Sequence, residues 1–463
     1  MHNYIYGDHN GTKPPRGRAL TRVLVAVLAL VIVVELCVMM VELRARRGQS
    51  PVAPVIEIVE KTGAEAGTER TGAEMGKRDL AGLIGSRPLE ADQQILEITD
   101  QSGNVLYVRT TLLPELQALA DKWLQSSRAH QAALVVMNPD TGEVLAMAGY
   151  SADGQEGNTA LAGSFPAASL FKIVTAAAAV EKAEMSAESK LAYDGGKHTL
   201  YKNNLAKEPD KGRNSVTLQE SFADSINTVF GKLGVFTLGP EELAEFAGRF
   251  GFNTDINFEM PVEASNFAVD DQPDDFRLAE LASGFNRETK VSPLHGALMA
   301  ASVVSGGRLR EPTLVREVFD RNNHIYYQSD PGELREIISP ATAEELSRLM
   351  RSAVEEGTGR RTFGSASTHP VLSRLVIGGK SGTINNEDGQ RVDWFVAWAK
   401  PRPGLGCEDK LAVSAVVVHN WTAVTTSQRL VRDALNAYYK DKLGQRRPSG
   451  ASSSRAARGG SGG

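Results

Sequence analysis

The chain has 463 residues, a net charge of −5, 41% hydrophobic and 23% charged residues. That balance excludes a disordered chain, and without a basic excess it excludes a nucleic-acid partner. Two isolated cysteines, Cys37 and Cys407, exclude a cysteine-built metal site.

The first predicted element is Val23–Val41, an apolar run whose single charge is Glu35. As a helix it spans about 28 Å, close to the ~30 Å hydrocarbon core of a bilayer. No small-residue cleavage site precedes Arg44, and Leu36 before Cys37 does not fit a lipoprotein signal. The expectation is a single-pass anchor at 23–43 in the cytoplasmic membrane. Residues 1–22 then form a cytoplasmic tail, with the chain from 44 onwards outside. Residues 44–107 read as a spacer and a short N-terminal segment. Two loose copies of one unit, KTGAEAGTE and RTGAEMGKR, can bury little apolar surface. Order is expected to begin near 89–108, where Ile95, Leu96, Ile98, Val105 and Tyr107 suggest short strands.

Leu116, Leu119, Ala120, Trp123 and Leu124 recur at helical spacing, which predicts a helix from Pro114 to Ser126. AALVVMN, the turn Pro139-Asp140-Thr141-Gly142 and EVLAMAG predict a β-hairpin. A mainly helical middle is expected over 165–350. RLVIGGKSGT, RVDWFVAWAK and LAVSAVVVHN then read as three strands, followed by a helix with Leu430, Val431, Ala434, Leu435 and Tyr438 on one face. Strands at both ends of a helical middle predict an α+β domain with one central antiparallel sheet. Residues 443–463, rich in Gly, Ser and Arg, are expected to be a disordered tail.

Three short motifs bear hydroxyls and amines. Ser169-Leu170-Phe171-Lys172 is the only S-x-x-K, and it opens the apolar run LFKIVTAAAAVEKAEM. Serine and lysine three apart share a helix face. At a buried helix start, burial would lower the lysine pKa and suit it to take the serine proton. Alone, such a pair more often marks an N-capping serine and an outward lysine. Ser225-Ile226-Asn227 is expected inside a helix whose start carries a capping box, Thr217 and Glu220. Lys380-Ser381-Gly382-Thr383 follows Gly378-Gly379 on the first late strand, where an ammonium and two hydroxyls suit a substrate carboxylate.

S-x-x-K, then S-x-N, then K-[ST]-G, in that order, is the signature of penicillin-binding proteins and serine β-lactamases. The chain resembles the penicillin-binding protein transpeptidase domain, also through DTGEVLAMAG, SVTLQESFADSINTVFGKLG, KVSPLHGALMAASVVSGG, EEGTGR and VDWFVAWA. The resemblance implies a sheet with helices on both faces, a helical subdomain, and a transpeptidase domain over 108–442. It implies that Ser169 is the nucleophile, Lys172 its base, Ser225 a proton relay and Asn227 a holder of the donor peptide. Lys380, Ser381, Gly382 and Thr383 would bind the terminal carboxylate, with the N–H groups of Ser169 and Thr383 as oxyanion hole. It implies no cofactor and no metal. One departure is Pro166-Ala167-Ala168, where the family usually has Pro-Gly before the serine.

Asn227 separates the chain from oxacillinase-type β-lactamases, and Ile226 from the S-D-N of the commonest β-lactamases. The stretch between anchor and domain is too short for a second catalytic domain. The resemblance is therefore to a monofunctional, class B-like D,D-transpeptidase acting on peptidoglycan stem peptides and captured by β-lactam antibiotics. Glu35 in the anchor points to a partner helix, such as that of a membrane glycan polymerase of the SEDS type, or to a glutamate near the outer interface reaching water; both stay open at this point. A D,D-carboxypeptidase and a non-turnover β-lactam sensor or scaffold stay open at this point.

Overall fold

The computed structural model describes residues 75–444, apart from 88, 90–93, 155, 156, 206–213, 271, 331, 333 and 421–423. The expected tail and anchor, most of the spacer and residues 445–463 lie outside the described residues. Among the described residues no helix is long and apolar enough to cross a membrane.

Order begins earlier than composition suggested. α1 (Lys77–Ile84) falls within the stretch read as spacer. Its Leu80 and Ile84, four apart, are buried together. Asp79 Oδ2 accepts from Gly76 N at 2.8 Å to close the first turn. Lys77 Nζ donates to Pro312 O at 2.8 Å and stands 3.9 Å from buried Glu259. One apolar face and one tethered lysine are enough to dock a helix that low overall apolarity hid.

β1 (Ile95–Thr99) and β2 (Val105–Thr110) pair antiparallel. α2 (Pro114–Gln125) and the hairpin β3 (Gln131–Met137) and β4 (Val144–Ser151) follow as expected. The middle holds α3 (Lys172–Lys182), α4 (Leu218–Ala223), α5 (Asn227–Leu233), α6 (Gly239–Phe250), α7 (Asp275–Ser283) and α8 (Pro293–Val304). It is not helical throughout. β5 (Val315–Asp320) and β6 (Ile325–Gln328) form a hairpin that joins the first two strands, in the order β1-β2-β5-β6. The hairpin turns because Asp320 Oδ1 accepts from the backbone N–H of Asn322 and His324. α9 (Pro340–Glu355) is followed by β7 (Leu375–Asn385), β8 (Arg391–Pro401), β9 (Leu411–His419) and α10 (Ser427–Gly444).

The central sheet runs β7-β8-β9-β3-β4, antiparallel throughout. β8 and β9 are buried along nearly their whole length, so alternate residues go to two cores. Trp394, Val396, Trp398, Val416 and Val418 join the core that contains α8. Phe395, Ala397, Ala399, Val413, Ala415 and Val417 join the core of α2 and α10. In α10 the side chain that completes the buried face is Tyr439 rather than Tyr438, its hydroxyl donating to Asp409 O at 2.7 Å. On the α8 side, α5, α6, α7 and α9 pack around α3, whose residues 172–179 are all buried.

Two close approaches fix where β7 and α7 lie. At Gly378 an added Cβ would stand 2.4 Å from the ring of Trp398, its partner on β8. Gly284 ends α7 in the left-handed region, at φ 68°, and a Cβ there would stand 2.0 Å from Ala168 O. Gly284→Ala combines about 1–2 kcal/mol of left-handed backbone cost with about 1–3 kcal/mol of overpacking. A lower melting temperature and slower acylation of the neighbouring Ser169 are expected, read by thermal melts and by stopped-flow with a chromogenic β-lactam. Unchanged values of both would contradict this packing.

Candidate active site

Ser169 lies on a tight 3₁₀ turn, Ala168–Phe171, that feeds straight into α3. The approach is held on both sides: Trp394 Nε1 donates to Pro166 O at 2.9 Å, and Ala167 N donates to Thr289 O at 2.8 Å. Ala168 takes a φ of 48°, a conformation that costs a residue with a side chain about 1–2 kcal/mol. This is where the family usually places Gly. The alanine is accommodated because Gly284 and Gly382 lack side chains beside it.

Lys172, one turn on, is completely buried. Its Nζ lies 2.8 Å from Ser169 Oγ, 2.7 Å from Asn227 Oδ1 and 2.5 Å from Ser283 O. Burial, and then the charge of Lys380, hold its pKa well below the ordinary lysine range. The Phe230 ring at 5.6 Å favours the cation, but without a carboxylate partner burial dominates. Once the amine gives up its proton, two N–H bonds still serve Asn227 Oδ1 and Ser283 O, and the lone pair is left for the Ser169 hydroxyl.

The Ser225-Ile226-Asn227 segment is not helical throughout, contrary to the expectation of one continuous helix. α4 ends at Ala223, α5 begins at Asn227, and Ser225 between them has a φ of 57°. The predicted capping box is present: Thr217 Oγ1 accepts from Glu220 N, and Glu220 Oε2 from Thr217 N. Other chain segments complete the break. Thr358 N takes Ala223 O at 3.1 Å, and Asn227 N goes to Lys197 O at 2.8 Å. The buried Ile226 anchors the turn. Asn227 then serves Lys172, with its Nδ2 donating to His198 O at 2.9 Å. Ser225 serves the other lysine, accepting from Lys380 Nζ at 2.9 Å.

Lys380 is also fully buried, 5.4 Å from the Phe222 ring. Its Nζ donates to Ser381 O at 3.0 Å as well, and burial lowers its pKa to about 7. Ser169, Ser225, Asn227, Ser381 and Thr383 line one cleft of about 970 Å³. Thr383 is exposed in it, Gly382 is buried against the turn that carries Ser169, and the two lysines stand behind its wall. Thr358, His198 and Phe285 are among the lining residues that escaped sequence reasoning as site residues. Thr358 Oγ1 accepts from Ser381 Oγ at 2.7 Å, and the G-T-G of EEGTGR was its only signal. His198 and Phe285 also line the cleft, and no local pattern marks either. Burial, then Lys172, keep the His198 pKa below normal. Among the described residues no three His, Cys, Asp or Glu side chains converge as a metal site. A serine hydroxyl, an amine whose pKa burial lowers and a row of hydroxyls on a strand are the parts of nucleophilic acyl transfer.

The model of the penicillin binding protein transpeptidase domain matches residues 132–405. The chain is 25% identical over 340 residues to Stage V sporulation protein D of Bacillus subtilis, covering 68% of this chain and 51% of that protein. It is 25% identical over 353 residues to peptidoglycan D,D-transpeptidase PbpA of Mycolicibacterium smegmatis, covering 68% of this chain and 67% of that protein. It thus spans about half the length of the first relative and two thirds of the second. The solved D,D-transpeptidase domain of a peptidoglycan glycosyltransferase from Eggerthella lenta superposes with a TM-score of 0.58 at 25% identity, over 72% of this chain and 83% of that one. The fold, the order of the three motifs and these matches agree: the chain belongs to the penicillin-binding protein transpeptidase domain family.

Proposed function

We propose that the chain is a monofunctional peptidoglycan D,D-transpeptidase that works through an acyl-enzyme on Ser169. The observation that carries this reading is the Lys172 amine, whose pKa burial holds well below the ordinary lysine range and whose Nζ stands 2.8 Å from the Ser169 hydroxyl. Ser169 Oγ attacks the carbonyl carbon of the penultimate D-alanine of a stem peptide, and Lys172 takes its proton. The bond to the terminal D-alanine nitrogen breaks. That nitrogen receives a proton relayed through Ser225, and D-alanine leaves. The amine of a neighbouring peptide then attacks the ester, gives a proton to Lys172, and Ser169 leaves as a hydroxyl. The tetrahedral oxyanion is assigned to the N–H groups of Ser169 and Thr383, both on the cleft; one such donor contributes ~3–4 kcal/mol in comparable enzymes. Asn227 holds the donor peptide, and the Ser381 and Thr383 hydroxyls bind its terminal carboxylate with Lys380 behind them.

A β-lactam presents a similar acyl group and carboxylate, but its leaving nitrogen stays tethered and blocks the incoming amine. Mass analysis of protein mixed with penicillin should show a long-lived adduct on the Ser169 peptide, absent in Ser169→Ala. Pentapeptide supplied with an amine acceptor should yield the aminolysis product. Hydrolysis alone would indicate a carboxypeptidase, and an adduct without action on pentapeptide a sensor.

Acylation needs Lys172 neutral and Lys380 charged. The rate should therefore rise as Lys172 loses its proton and fall above about pH 7 as Lys380 loses its own. Lys380→Arg should keep part of the activity and lose the fall, because arginine stays charged, whereas Lys172→Arg should be inactive. Profiles of kcat/KM against pH decide this: a fall near 7 that persists in Lys380→Arg assigns it to another group.

The apolar run Val23–Val41 supports placing the catalytic domain outside the cytoplasmic membrane, with Glu35 as the point of contact for a glycan polymerase. Protease added to spheroplasts should remove the domain and leave a small membrane fragment. Full protection would refute the topology.

A further inference from the structure

We infer that the cleft selects stem peptides carrying a free side-chain carboxylate in addition to the C-terminal one, an inference that rests on the acyl-transfer reading above. Arg361, Arg391, Arg429 and Arg432 line the same cleft as Ser169. They come from three separate pieces of chain: the short turn after α9, the first residue of β8 and the first two turns of α10. Convergence from separate segments is unlike a solvated helix face, where charges recur along one element.

The opposing charge is small. Asp393 is the only carboxylate among the described residues lining the cleft, and it lies in register with Thr383 on β7. Its Oδ2 accepts from Ser427 N at 3.1 Å and from Ser427 Oγ at 3.0 Å. Asp433, at the edge of the group, reaches Arg432 at 2.9 Å and Arg429 at 3.7 Å. Arg361 makes no ion pair among the described residues. With Arg391 beside Asp393, the other three guanidiniums, Arg361, Arg429 and Arg432, face one carboxylate among the described residues, Asp433, an excess of two positive charges of which one C-terminal carboxylate offsets only one. That carboxylate already has the Ser381 and Thr383 hydroxyls. A guanidinium accepts a further carboxylate bidentately, while a carboxamide has no charge to offer.

The test uses two synthetic peptides ending in D-alanyl-D-alanine and identical except for one side-chain group, a free carboxylate or its carboxamide. The full-length protein should release D-alanine from the acid with kcat/KM about tenfold above the amide, equivalent to about 1.4 kcal/mol. In the double variant Arg361→Gln, Arg432→Gln the preference should fall to within about twofold. Arg361→Lys, Arg432→Lys should keep most of it, which guards against a folding defect. Equal kcat/KM for the two peptides, with a normal penicillin adduct on Ser169, overturns the inference alone. A preference that survives in the glutamine variant overturns its assignment to these arginines. Absence of both adduct and D-alanine release overturns the acyl-transfer reading and this inference with it.

Discussion

Everything at this site depends on keeping two lysines out of water without giving either a carboxylate. Lys172 and Lys380 are both fully buried, and among the described residues each is met only by hydroxyl, amide or carbonyl oxygens and by one aromatic face. For Lys380 the shift from 10.5 to about 7 is a differential of about 5 kcal/mol against the charged form. The folded chain holds that proton less tightly than the unfolded chain. This lysine's contribution to folding stability therefore rises with pH between about 7 and about 10. Below that window the core must absorb a buried charge. Lys380 stands on β7, beside β8, a strand packed on both faces whose Trp394 is tied directly to the turn that carries Ser169.

A second constraint is the path of the chain into Ser169. Ala168 holds a left-handed backbone, and the segments beside it give way by lacking side chains: Gly284 at the end of α7 and Gly382 on β7. The carbonyl of Ser283, just before Gly284, accepts from Lys172. The same helix end therefore leaves room for the turn and completes the cage of Lys172. Strain at Ala168 persists because Pro166 and Ala167 are each held by distant elements, through Trp394 and Thr289.

What could be read from the sequence was what local pattern dictates. The β3–β4 hairpin announced itself by its Pro-Asp-Thr-Gly turn, the late strands by long apolar runs, and α3 by being apolar all round. Ser169, Lys172, Ser225, Asn227 and the Lys380–Thr383 strand were found by motif and order, and the fold brings all of them to one place. What escaped depends on tertiary partners. α1 has only Leu80, Ile84 and a tethered Lys77 to declare it. β5 and β6 lie in a stretch whose neighbours are helical, and only the pairing of β5 with β2, and of β6 with β5, makes them strands. Thr358 enters the site because Thr358 N captures the carbonyl that ends α4.

That capture explains the one local error that bears on chemistry. Residues two apart in a continuous helix point about 200° apart around its axis, so Ser225 and Asn227 could not both face one cleft from an unbroken helix. A left-handed residue between two short helices turns the chain enough that both do. Ser225 then meets Lys380 while Asn227 meets Lys172, one partner for each buried amine. Glycine would adopt that backbone more readily, by about 1–2 kcal/mol, but it has no hydroxyl to accept from Lys380. The strained serine is thus the residue that lets one tripeptide serve two lysines. Helix propensity alone reads through it because the forces that break the helix, Thr358 on one side and Lys197 on the other, come from segments far along the chain or across the cleft.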